Sequence, residues 1–394
     1  MDNYSTQLIL TKTLIALSSH ICFMESDQIR LAISTEKGAF LIKSSNNRKK
    51  WSISKALMSD QSVNNILSTT GGVLFAATLT DGIFRSDDGG KNWSQSNRGL
   101  IVRKVWSIEQ DKHNEDNLLA GTQYGHMFSS TDSGNTWEEV VGLYDAPNRN
   151  NWGIDWGFGT TGLTIHTIKS DPGKKNRFYI VASGNGTYRT DDYGKKWKVL
   201  KEGLLDNCPL EFGSNTSKGK NISVEEEKRE HLQGVHSCTH KLALSPSRPN
   251  TIFQQNHCGV FISTNSGDRW SDISPGNNRH GFGITVTPGD GENIFTIPAN
   301  QGKCKKHNSC IQGQLTVLRS SDAGKTWDNL KNGLPSKVHN CVLRDCLTND
   351  NSAEPGVYFG TTTGEVYASL DMGHTWKEIA TNLPRIQGVS VIAA

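Results

Sequence analysis

"SSDAGKTW", residues 320–327, sets two serines, an aspartate, a glycine and a tryptophan in the order of a tight turn. The chain repeats nearly the same phrase. "RSDDGGKNW" ends at Trp93, "SSTDSGNTW" at Trp137, "RTDDYGKKW" at Trp197, "ISTNSGDRW" at Trp270 and "ASLDMGHTW" at Trp376, and a worn copy, "KSSNNRKKW", ends at Trp51. Seven copies in one chain decide the fold.

Each position of the phrase has a physical reason. The aspartate (Asp88, Asp132, Asp192, Asp322, Asp371) accepts hydrogen bonds from backbone N–H groups of its own turn. The glycine two positions later supplies a positive φ, and the tryptophan buries a large ring against neighbouring strands. The motif therefore reads as a device of the fold.

The seven tryptophans are separated by 42, 44, 60, 73, 57 and 49 residues, a period that points to a propeller or solenoid with insertions. In the last unit an apolar run, "NCVLRDCL", precedes "GVYFGTTT" and "GEVYASLD", and "MGHTWKEIA" begins a further strand. Four strands per unit make one propeller blade. The expectation is an all-β, seven-bladed propeller over residues 26–394, with insertions at 143–162 and 204–233 and an N-terminal extension over 1–25. Met24 is an alternative start. The C-terminal "GVSVIAA" (388–394) is expected to supply the innermost strand of the first blade and close the ring, removing open edges.

These repeats resemble the Asp-box, or BNR, repeat, S/T-x-D-x-G-x-x-W. Sialidases, sortilin-type receptor propellers, photosystem II assembly factor propellers and xyloglucan-cleaving hydrolases share it. The resemblance implies that the boxes lie on the outer rim, away from any active site. "FQQNHCGVFIS" (253–263), "HGFGITVTPGD" (280–290) and "GVYFGTTTGEVYAS" (356–369) look closer to single-propeller proteins of bacteria and archaea that are named glycosyl hydrolases from their repeats. Fold does not fix function. The sialidase arginine triad and Arg-Ile-Pro signature are not found, and "LPRIQG" (383–388) is a superficial echo.

The charge balance, 42 basic against 39 acidic residues, shows no basic block, which argues against nucleic-acid binding. "LILTKTLIALSSHICF" (8–23) is too short for a membrane span. The eight cysteines are spread through a chain with ample core, so free thiols, a cytoplasmic location and a monomer without cofactor are the expectation.

Propellers bind where inner strands converge. Aligning the inner strands on their endings gives a column of Trp106, His166, His240, Phe282 and Arg344, with Asn65 and Ser390 as looser matches. The alternative is that both blade faces pack on neighbours and these are satisfied core residues. "HSCTH" places His236, Cys238 and His240 two apart on one strand face, with His257 or Cys258 as a further ligand; this is a weak zinc candidate, since no C-x-x-C pair supports it. Cys304, His307 and Cys310 of "CKKHNSC" read as a loop. The insertion 143–162 carries Trp152, Asp155 and Trp156, a set that suits sugar stacking or, blandly, capping of a blade. A glycosidase requires two carboxylates, and Asp155, Asp345 and Glu211 are the candidates, none in a motif that fixes its role. The leading expectation is a propeller that binds a protein segment or glycan at the channel mouth, with His257 beside the column. A sialidase- or xyloglucanase-like hydrolase is the alternative.

Overall fold

Five-residue runs such as "LFAAT" (Leu74–Thr78), "LLAGT" (Leu118–Thr122) and "FYIVA" (Phe178–Ala182) are buried at every position. A strand that short and that buried has other sheets packed on both faces. The outermost strands are the opposite: Ser94–Gln95, Glu138–Glu139 and Lys198–Val199 are two residues long and largely exposed. That gradient, repeated, is a blade. The structure, a computed structural model, describes residues 28–45, 47–152, 163–204, 238–299 and 311–392.

Seven four-stranded antiparallel sheets are present. Their innermost strands are Ile386–Ile392 (blade 1), Val63–Ser68 (blade 2), Val105–Gln110 (blade 3), Ile165–Ser170 (blade 4), Thr239–Leu244 (blade 5), Gly281–Val286 (blade 6) and Leu347–Asn349 (blade 7). Blade 1 takes this strand from the C-terminal end of the chain, which pairs with Arg30–Thr35 from Arg30↔Ile392 to Thr35↔Ile386. Ring closure is as the sequence predicts. An unexpected two-stranded ribbon pairs Ile311–Gly313 with Val338–Asn340.

The hydrophobic core lies between blades. Phe75 and Ala77 of blade 2 cluster with Ile108, Leu118, Phe128 and Trp137 of blade 3, and Tyr179 and Val181 of blade 4 cluster with Leu242, Ile252, Phe261 and Trp270 of blade 5. The repeated turns belong to this seam. In the copy that opened the sequence, Asp322 Oδ1 accepts from Ser320 Oγ at 2.8 Å and Thr326 N at 2.9 Å, while Gly324 N donates to Ser320 Oγ at 2.7 Å. Gly324 has φ +93°, and a Cβ there would lie 2.5 Å from Ile273 of the preceding blade. Trp327 Nε1 donates to Ile273 O at 2.8 Å, as Trp137 does to Ser96 O and Trp270 to Leu200 O. In blades 3, 5 and 6 the motif thus fastens one blade to the one before it, whereas Trp93 and Trp197 donate to Gly90 O and Gly194 O within their own turns.

A candidate ligand site in the central channel

Six of the inner strands begin with a break in register. Opposite the second strand, the extra residue is Gln387 in blade 1, Asn64 in blade 2, Trp106 in blade 3, His166 in blade 4 and His240 in blade 5; blade 6 places Phe282 and Gly283 there. A β-bulge re-aims a side chain that would otherwise alternate. Four members of the sequence column therefore occupy one structural position. Its looser members are corrected: the equivalent of Asn65 is Asn64, and that of Ser390 is Gln387. Asn65 is one residue from the bulge and Ser390 three, because the inner strands of blades 1 and 2 lack the shared ending on which the others align.

Part of this ring staples blades together. Gln387 Nε2 donates to Ser62 Oγ and Val63 O, each at 3.0 Å, Asn64 Nδ2 to Trp106 O at 2.6 Å, and His240 Nδ1 to Gly281 O at 2.5 Å. Ser107 Oγ donates to Ile165 O at 2.9 Å. Other members keep unused polar atoms: Trp106 Nε1 and Arg344 Nε have no hydrogen-bond partner among the described residues. His166 is buried, and its pKa lies well below the ordinary imidazole value because of burial and then the charges of Arg344 and Lys241.

From the bulges onward the seven inner strands enclose a cavity of about 910 Å³. Its wall carries charges from different blades. Lys241 is ion-paired with Asp345, both side chains only 13% and 10% exposed, and Lys169 Nζ lies 3.5 Å from Glu109 Oε2. Burial pulls the Lys241 pKa down, with Asp345 opposing the shift. Deeper along blade 7, Asp350 accepts from Arg48 at 3.1 Å and Tyr358 OH at 2.6 Å. Asp345, a catalytic candidate in the sequence, is also held by its backbone, which bridges to Gly388 of blade 1.

At the start of blade 5, His240, His257, His280 and Phe282 crowd together. Phe282 stacks on His240 at a centroid distance of 4.7 Å and 28° between planes, and His257 and His280 are 4.4 Å apart. The Arg344 guanidinium lies 5.9 Å from the Phe282 ring centre. Burial, then the neighbouring His280 and His257, holds the His240 pKa well below the ordinary value. Burial raises the Cys238 thiol, with the Arg344 charge opposing.

Trp152 is elsewhere. It is buried in the core of blades 3 and 4, donates from Nε1 to Tyr188 OH at 2.9 Å and carries Arg149 over its ring at 4.6 Å. The geometry matches the capping alternative. Asp155, Trp156, Glu211, His236 and the Cys304–His307–Cys310 loop lie outside the described residues. The sequence reading missed Glu109, Lys169 and Lys241. A usable signal existed: Lys241 follows the column by one position and Glu109 and Lys169 by three, each the one Asp, Glu, Lys or Arg of its inner strand.

A family profile described as the DUF6242 beta propeller domain matches residues 11–152. The chain is 24% identical over 210 residues to a probable oligoxyloglucan-reducing end-specific xyloglucanase of Neosartorya fischeri, a match over 53% of this chain and 21% of that protein. Among solved structures, an ancestral GH74 enzyme superposes with a TM-score of 0.56 at 15% identity, over 84% of this chain and 38% of that one. YCF48 bound to D1 peptide superposes with a TM-score of 0.46 at 15% identity, over 80% of each chain. The chain spans about a fifth of the length of the curated relative, and the superposition on the ancestral GH74 enzyme, at 15% identity, bears on the fold alone.

Proposed function

We propose that this propeller is a binding protein whose channel recognises a protein segment or a glycan without cleaving it. The observation that carries this reading is that, among the described residues, each carboxylate lining the cavity is already ion-paired: Glu109 with Lys169, Asp345 with Lys241 and Asp350 with Arg48. Glycoside hydrolysis needs one carboxyl group to deliver a proton and another to attack or to activate water. Carboxylates clamped by ammonium or guanidinium groups instead offer fixed acceptors and donors, which suits recognition of hydroxyls or backbone amides. Trp106 and Arg344, with their unused donors, belong to this proposed surface together with His166, His240, His257 and Phe282. The resemblance of the repeated turns to Asp-box propellers is compatible with either kind of ligand.

The likeness to the xyloglucanase favours the second reading, a hydrolase acting through a pair drawn from Asp155, Asp345 and Glu211. One experiment separates the two. Xyloglucan oligosaccharides, sialosides and a peptide library are titrated calorimetrically against the protein while new reducing ends are assayed in parallel. The expected result is saturable binding with no new reducing ends, weakened at least about tenfold by Lys241→Ala through loss of a charged hydrogen bond. Release of reducing ends that Asp345→Asn or Asp155→Asn abolishes would replace the binding reading with the hydrolase.

A further inference from the structure

Blade 5 brings a thiol and two imidazoles to one point. The coordinating atoms of Cys238, His240 and His257 all lie within 4.8 Å of one another, and Cys238 Sγ is 3.4 Å from His240 Nε2. Around a tetrahedral zinc ion, bonds of about 2.3 Å to sulfur and about 2.0 Å to nitrogen set the S···N edge at about 3.5 Å. One edge is therefore already at its coordinated length.

The orientation of His240 adds an independent argument. Its Nδ1 faces the Gly281 carbonyl at 2.5 Å, and a carbonyl only accepts, so the proton resides on Nδ1. Nε2 then presents a lone pair toward Cys238, the arrangement found where a backbone carbonyl orients a metal-binding histidine. His257 is held by the backbone as well: its N–H donates to Cys238 O at 2.9 Å, and the next residue, Cys258, donates to Asn256 Oδ1 at 2.9 Å. Phe282 stacks on the outer face of His240 and supplies an apolar wall.

We propose that Cys238, His240 and His257 bind a transition-metal ion of the Zn2+ class, with the fourth position filled by water or by His280, whose ring is 4.4 Å from that of His257. The donor set, one thiolate and two neutral imidazoles, is of the kind that selects zinc over calcium or magnesium. Binding displaces the Cys238 proton to solvent, one per ion, and leaves a net charge of +1 on the centre. His240 and His257 are shared with the proposed channel surface, but the metal site rests on their own geometry and its test involves no channel ligand, so failure of one reading is distinguishable from failure of the other.

The test uses the full chain, stripped with a chelator, re-reduced and titrated with Zn2+ and separately with Co2+. The expected result is one tightly held Zn2+ per chain by elemental analysis after dialysis. The Co2+ form should show a thiolate-to-metal charge-transfer band that Cys238→Ser removes, Cys341→Ser leaves intact and His257→Gln weakens, with affinity lower by at least about tenfold. A wild-type chain that retains no stoichiometric Zn2+ overturns the proposal without recourse to any variant. A charge-transfer band that survives in Cys238→Ser overturns it equally, because the thiolate then comes from another cysteine.

Discussion

At Ala323 the backbone has φ 58°, a left-handed conformation that costs an L-residue roughly 1–2 kcal/mol. Ser133, Tyr193, Ser266 and Met372 hold the same place in other copies of the turn, at φ between 56° and 61°. Blade 2 alone places a glycine there, Gly89. Ala323→Gly is therefore expected to stabilise the protein by about 0.5–1 kcal/mol, the relief of strain less the extra entropy of glycine in the unfolded chain. Gly324→Ala should destabilise it by more than about 1 kcal/mol, since it adds a Cβ 2.5 Å from Ile273 at φ +93°. Denaturant midpoints of the two variants check both signs. The neighbouring carboxylates give a pH dependence. In Asp132 the hydrogen bonds from the Thr136 hydroxyl and backbone N–H lower the pKa from 3.8 to about 2. Between those values the unfolded chain binds more protons than the native one, so stability falls as pH drops through that window. Blade 5 carries Asn265 in the same role, accepting from Ser263 and Arg269 N. Asp132→Asn should accordingly preserve the turn and flatten the acid limb of a Tm-against-pH curve. The glycine and the aspartate are legible in the sequence because their chemistry is local. The strained residue between them is not, because alanine, serine, tyrosine and methionine share no feature except the backbone they adopt.

At the scale of the element, the weakest copy of the repeat sits at the most consequential seam. "KSSNNRKKW" lacks both the aspartate and the glycine, and its Asn47 and Arg48 are left-handed at φ 52° and 61°. In exchange, Arg48 reaches across to blade 7, donating to Asp350 at 3.1 Å and to Glu354 O at 3.0 Å. The two side chains are 10% and 1% exposed. Removing one partner of a buried pair strands the other charge, so Arg48→Ala should cost about 3 kcal/mol, measured by chemical denaturation. Arg48→Ala with Asp350→Asn should recover part of that loss. Strand number and order were readable from the alternation of short apolar runs with turns. The bulges were not, since one inserted residue changes no composition. The Lys241–Asp345 and Glu109–Lys169 pairs were also hidden, because each joins different blades, 104 and 60 residues apart in the chain.

For the whole molecule, the ring is only as sound as its closure. A chain ending at residue 385 would leave Arg30–Thr35, still paired with Gly38–Ser45 on one side, as an open and otherwise buried sheet edge beside Val389's vacated place in the core. The expected outcome is loss of the cooperative unfolding transition and a shift to larger species in light scattering. Protons also act on the ring as a whole. Burial keeps the folded-state pKa of His166 well below 6.5, so the unfolded chain takes up a proton that the native chain refuses. Stability should begin to decline as pH falls below about 6.5, a decline that His166→Gln reduces. Seven blades and their closure followed from the repeat, and the Cys238, His240 and His257 grouping was legible because all three belong to blade 5, while the channel's charge pairs emerge only once different blades face one another.

The borrowed inner strand of blade 1 has a consequence in time. Thr35 and its partner Ile386 are separated by almost the entire chain. At roughly 5–20 residues per second, synthesis takes about 20–70 s to travel between them. Blades 2–6 can assemble in succession as they leave the ribosome. Blade 1 must wait through that interval with three strands and an open inner edge, until Ile386–Ile392 emerges to complete a sheet begun long before it.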